Sequence, residues 1–162
     1  KAYAMTGWRI GYAGGPEWLI KAMAKMMSQS TSNPCSVSQW ASVAALNGSH
    51  SFMDARNAAF KTRRDAVVAG LNAAKGLSCL LPEGAFYAYP DCGQLIGRKD
   101  PAARVLETDS DVATSLLEHS HVAVVPGGAF HGSPNLRLSY AADIDSLTRA
   151  VERIQEFCAS LS

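Results

Sequence analysis

Residues 135–161 leave a chain few ways to fold. Leu136, Leu138 and Tyr140 alternate with Arg137 and Ser139, so a strand here has one apolar and one polar face. Just beyond, Ile144, Leu147, Val151, Ile154, Cys158 and Leu161 recur at helical spacing, an apolar stripe suited to lying on a sheet. A half-apolar strand followed by a one-sided helix buries both apolar surfaces when the helix packs on the sheet. The rest of the chain mixes helices with strands clustered in the middle, and the class expected is α/β, with an α+β C-terminal domain.

Upstream, Trp8-Arg9-Ile10-Gly11-Tyr12 alternates like a strand until Gly14-Gly15-Pro16 breaks it. Pro16 then stands where helices tolerate proline, ahead of an apolar stripe of Leu19, Ile20, Met23, Met26 and Met27. Ser28 to Cys35 reads as a loop. Ser36-Val37-Ser38-Gln39 fits a capping box opening a helix that Asn47-Gly48 stops. A longer helix is expected from about Phe52 to Ala74, closed by Lys75-Gly76. Cys79-Leu80-Leu81, Ala85 to Tyr89 and Val122 to Val125 are short strand candidates, with a helix over Ser110 to Glu118. The shift from glycine- and serine-rich motifs to alternating strands predicts two regions, 1–48 and 49–162.

Composition excludes more than it proposes. Fifteen basic against fourteen acidic side chains leave a net charge of +1, with no electrostatic footprint for nucleic acid or an anionic membrane. The charge-free run from Met26 to Met53 holds eight serines, a proline and two asparagines, too polar for hydrocarbon. No basic, apolar leader opens the chain. Cys35, Cys79, Cys92 and Cys158 show no pairing or metal spacing and read as reduced thiols of a cytoplasmic protein. His119 and His121 would share a strand face, but no third ligand stands at fitting spacing, so no metal is expected.

The segment that carries chemistry is Lys1-Ala2-Tyr3-Ala4-Met5-Thr6-Gly7-Trp8-Arg9-Ile10-Gly11, a lysine eight positions ahead of an arginine set between two glycines. It resembles the class I/II aminotransferases of fold type I, the bacterial aspartate aminotransferase branch above all. The resemblance implies that Lys1 is the Schiff-base lysine of pyridoxal 5'-phosphate and the catalytic proton carrier, and that Arg9 binds the cofactor phosphate. The residue types suit those tasks. An amine can condense with an aldehyde and move a proton, and an arginine offers paired planar donors to a phosphate.

Four further segments extend the resemblance. Asn135-Leu136-Arg137-Leu138-Ser139-Tyr140 matches the strand whose arginine holds the substrate α-carboxylate, which assigns Arg137 that role. Ser30-Thr31-Ser32-Asn33-Pro34-Cys35-Ser36 looks like a family loop near the active site and dimer interface, giving Asn33 a substrate-side role; a plain serine-rich connector is the other reading. Gly84-Ala85-Phe86-Tyr87 resembles a strand lining the cleft, with Phe86 its candidate for substrate contact. Val124-Val125-Pro126-Gly127-Gly128-Ala129-Phe130 matches the turn ahead of the arginine strand. The family usually has glycine after that phenylalanine, where this chain has His131.

The resemblance therefore implies the end of a large cofactor-binding domain followed by a small domain, the C-terminal portion of a longer homodimeric enzyme. Residues that in relatives stack on the pyridine ring and pair with its nitrogen would lie upstream, and the isolated chain is expected to be inactive. The implied reaction moves an amino group from aspartate to a 2-oxo acid, 2-oxoglutarate first. An aromatic aminotransferase, a C–S lyase or a non-catalytic fragment are the alternatives, since Lys1, Arg9 and Arg137 would serve any of these enzymes.

Overall fold

The computed structural model describes residues 1–162. Its elements run α1 (Glu17–Ser28), α2 (Ser36–Asn47), α3 (Phe52–Ala73), β1 (Tyr87–Ala88), α4 (Asp109–Ser120), β2 (Val125–Pro126), β3 (Leu136–Ser139) and α5 (Ile144–Ser160). Short 3-10 turns occupy Thr6–Trp8, Gly93–Leu95 and Gly127–Phe130. Two compact units divide the chain, Lys1–Ala55 and Arg56–Ser162. The division falls inside α3, later than the Asn47-Gly48 stop that the sequence suggests as a boundary.

The first unit is helical. Pro16 precedes α1 with φ −56° and ψ 137°, and its carbonyl accepts the Leu19 and Ile20 N–H groups. Residues 8–12 are not a strand. They follow the Thr6–Trp8 turn, and Arg9 takes a left-handed φ of +44°, which no ladder tolerates. An extended segment also needs a partner, and all three strands of the sheet lie between residues 87 and 139.

The capping box expected at Ser36 is also absent. Cys35 holds the cap position with no side-chain cap bond, and Ser36 is already helical. Gln39 instead donates from Nε2 to the Pro34 carbonyl at 2.9 Å. In this unit Ser38 is the one buried side chain, its hydroxyl donating to the Trp8 carbonyl at 2.8 Å.

The second unit has a continuous core. Its antiparallel sheet has the order β1-β3-β2, with Tyr87 opposite Ser139, Ala88 opposite Leu138, and Val125 opposite Arg137. The apolar face of β3 brings Leu136 and Leu138 together with Leu71 of α3, Leu116 of α4 and Ile154 of α5 in one buried cluster. α3 and α5 approach closely at Gly70, where any Cβ would run into Val151. Gln155 Nε2 donates to the Gly70 carbonyl at 2.8 Å across the same contact.

Three local expectations change here. Cys79–Leu81 forms no strand: Ser78 makes an isolated bridge to Asp91 and Leu80 is exposed. Of the Val122–Val125 run, only Val125 joins the ladder. His119 and His121 do not share a strand face, because His119 lies in the last turn of α4 and His121 is its left-handed cap. His119 Nε2 lies 3.6 Å from Asp100, and no group of side chains in the chain could hold a metal.

Candidate active site

Arg137 occupies the polar face of the central strand β3, half-buried. Tyr87 sits opposite Ser139, two residues along, which puts its ring diagonal to Arg137 on the same face. The guanidinium carbon lies 4.7 Å from the Tyr87 ring centroid and 4.2 Å from that of Phe130. No carboxylate and no hydrogen-bond acceptor of the chain engages this guanidinium. A half-buried arginine with uncommitted donors is arranged for an external anion, and its planar fork suits a carboxylate.

Phe130 is delivered by the Gly127–Phe130 turn. Gly127 N–H donates to the Asn135 carbonyl at 2.6 Å, and an added Cβ there would approach the Asn135 oxygen and Tyr89 hydroxyl to 2.7 Å. Only glycine closes the turn so tightly. Gly128 N–H donates at 2.9 Å to Asp109, the first residue of α4, which is 4% exposed. His131 follows at φ +56°, a left-handed position that glycine takes up without the steric cost a side chain brings.

Phe86 turns towards the interior. It packs against the core, stacked on Phe60 at 6.2 Å and tilted on Tyr87 at 4.6 Å between centroids. Tyr87 and Phe130 stand inside two motifs whose residues are expected to be mostly structural, and nothing in the sequence singles them out. Their approach to Arg137 depends on strand register and turn closure.

In the first unit, Lys1 lines a cleft of about 480 Å3 together with Tyr3, Met5, Ile10, Tyr12, Gln39 and Ser42. That volume suits a small molecule or cofactor, and the lining is mainly apolar with a few polar groups. Arg9 is exposed at the end of the Thr6–Trp8 turn, and its guanidinium makes no hydrogen bond or ion pair within the chain. Asn33 is exposed, with Nδ2 donating to the Pro34 carbonyl at 2.9 Å. The structure thus groups Lys1 with a cleft and Arg137 with two rings, each within its own unit.

The sequence profile described as aminotransferase class I and II matches residues 1–154. An aspartate aminotransferase of Rhizobium meliloti strain 1021 is 56% identical over all 162 residues, which span 40% of that protein. The crystal structure of the Rhizobium meliloti aspartate aminotransferase superposes with a TM-score of 0.89, covering 100% of this chain and 40% of that one at 56% identity. A Thermus thermophilus aspartate aminotransferase solved with maleate gives 0.80 at 41% identity, over 97% of this chain and 39% of its own. The α/β fold, the lysine–arginine segment, the uncommitted Arg137 and a match over nearly the whole chain place it in the class I and II aminotransferase family.

Proposed function

We propose that this chain works as part of a pyridoxal 5'-phosphate-dependent aminotransferase that passes the amino group of aspartate to a 2-oxo acid, 2-oxoglutarate first. The observation that carries this reading is Arg137, half-buried against two rings with its donors uncommitted. The first unit would be the end of the large cofactor-binding domain and the second the small domain.

The residues of the first unit fit the cofactor. Lys1 would hold it through Nζ at the cleft, and the unpaired guanidinium of Arg9 would take its phosphate. When bound, the cofactor supplies the electron sink that amino-group transfer requires. Lys1 would carry the proton between the substrate Cα and the cofactor C4′, and Arg137 would fix the α-carboxylate so that Cα is presented consistently. Phe86, only partly buried, would offer the substrate side the edge it does not pack against the core, and Asn33 would add a polar contact.

The working protein is a homodimer in the cytoplasm. Exposed Trp18, Met26, Val37 and Trp40 support the dimer, since such apolar side chains favour cover. Four free thiols suit a reducing compartment.

The test uses the full-length holoprotein. Arg137→Lys should slow the donor and acceptor half-reactions alike, by about 2–5 kcal/mol in transition-state binding, with the cofactor retained. Arg9→Ala should do the reverse and weaken cofactor retention at saturating substrate. An Arg137→Lys protein that loses cofactor yet keeps its substrate affinity would reverse the two assignments.

A further inference from the structure

We infer that Tyr87 and Phe130 are positioning residues that clamp the guanidinium of Arg137 and so fix the plane in which it receives a carboxylate. The inference rests on the reading of Arg137 as the carboxylate anchor and asks what holds that anchor still.

The two rings reach Arg137 from independent elements. Tyr87 comes from the edge strand β1, and Phe130 from the turn that precedes β3. Both place a ring face against the guanidinium carbon, at 4.7 Å and 4.2 Å. The five N–H donors of a guanidinium lie in its plane. With two rings packed against the guanidinium, its donors are freest along the edge that the rings leave open, and a carboxylate would approach from there. An unclamped arginine swings about four side-chain torsions, and a ligand must immobilise it. One already held by stacking loses less freedom on binding.

Burial sharpens the argument. Phe130 is 45% exposed, far from the core residues Leu136 and Leu138 at 2% and 6%. A ring left so open gains little from packing. Its one ring partner is the Arg137 cation, and it is carried there by a turn that Asp109 fastens through Gly128. Tyr87 is half-buried, and its ring meets both Arg137 and Phe86, the latter at 4.6 Å between centroids.

The experiment replaces Phe130 in the full-length holoprotein with mono-, di- and trifluorinated phenylalanine, which keep the shape of the ring and progressively weaken its attraction for a cation. Maleate is the carboxylate probe, and cofactor retention is recorded in parallel. The clamp predicts affinity for maleate falling with each fluorine, about tenfold over the series, with KM rising more than kcat falls and cofactor retention unchanged. Phe130→Leu should lose a similar factor, Phe130→Tyr should restore it, and Phe130→Leu should add nothing once Arg137→Lys is present. A flat fluorination series overturns the clamp even where Arg137→Lys abolishes maleate binding. If Arg137→Lys itself leaves maleate binding intact, the anchor assignment fails and the clamp falls with it.

Discussion

Asp109 and Gly128 are joined by a 2.9 Å hydrogen bond from backbone N–H to carboxylate, which fastens the start of α4 to the turn that carries Phe130. The carboxylate is 4% exposed and stands in the first turn of a helix, where the helix dipole favours an anion. Asp109→Ala removes the acceptor and leaves the N–H to a partly open surface. The expected loss is about 1–2 kcal/mol, read from the midpoint of urea unfolding. Asp109→Asn keeps an acceptor and should lose less than half of that; an equal loss in both variants would assign the effect to charge.

His131 holds a left-handed backbone with φ +56°, and its side chain makes no hydrogen bond. The conformation costs a non-glycine residue about 1–2 kcal/mol, partly offset by the greater freedom glycine has when unfolded. His131→Gly should therefore stabilise the protein by about 0.5–1 kcal/mol, visible as a Tm rise of a few degrees. A lower Tm would mean that the imidazole has a role the geometry does not show.

These two sites mark where the sequence was readable and where it was not. The alternation of Leu136, Arg137, Leu138 and Ser139 and the stripe from Ile144 to Cys158 gave β3 and α5 directly, because one period governs each. Trp8 to Tyr12 alternates equally well and is no strand, since alternation records which faces differ and says nothing of a neighbouring ladder. The capping box that forms is Thr108 with Asp111, both reciprocal bonds present. Aspartate stands at its third helical position, where glutamate is more usual. Lys1, Arg9 and Arg137 stood out by motif. The rings beside Arg137 did not, because Tyr87 meets it only through the register of β1 on β3.

Asp100 gives the chain an acid-sensitive point. Its side chain is fully buried, and desolvation alone would raise its pKa. Hydrogen bonds from the Arg104 N–H, the Ser115 hydroxyl and the Ala102 N–H, with the Arg104 charge, outweigh that and hold it below the usual carboxylate range. Its contribution is complete above the unfolded carboxylate pKa of about 3.9 and is lost as pH falls through the lower folded value. Stability should decline below about pH 4, and Asp100→Asn should flatten that decline while lowering stability at neutral pH. Urea melts between pH 2.5 and 7 on both proteins decide it; parallel curves would count against Asp100.

Gly70→Ala sets two effects against each other. Alanine improves helix propensity by about 1 kcal/mol, whereas overpacking a tight contact costs about 1–3 kcal/mol. The added methyl would meet Val151, whose Cβ would lie only 3.4 Å away. Val151 is 8% exposed and β-branched in a helix, so it has few rotamers into which to retreat. Net destabilisation of about 1–2 kcal/mol is expected, and Val151→Ala should recover part of it in a double-mutant cycle. Additive losses would place the strain elsewhere.

Ser38 as the single buried side chain of the first unit has a calorimetric consequence. Unfolding enthalpy and heat-capacity change both grow with the surface that folding removes from water, about 0.7 kcal/mol of enthalpy per residue near 60 °C in a packed domain. Residues 1–55 leave most of their large apolar side chains open, with Trp18, Met26 and Trp40 exposed at 72%, 74% and 74%. A heating scan of this chain would therefore show one endotherm of the size owed to residues 56–162. Helices α1 and α2 would melt beneath it as a sloping baseline, and their amides would exchange with deuterium long before those of α3 and α5.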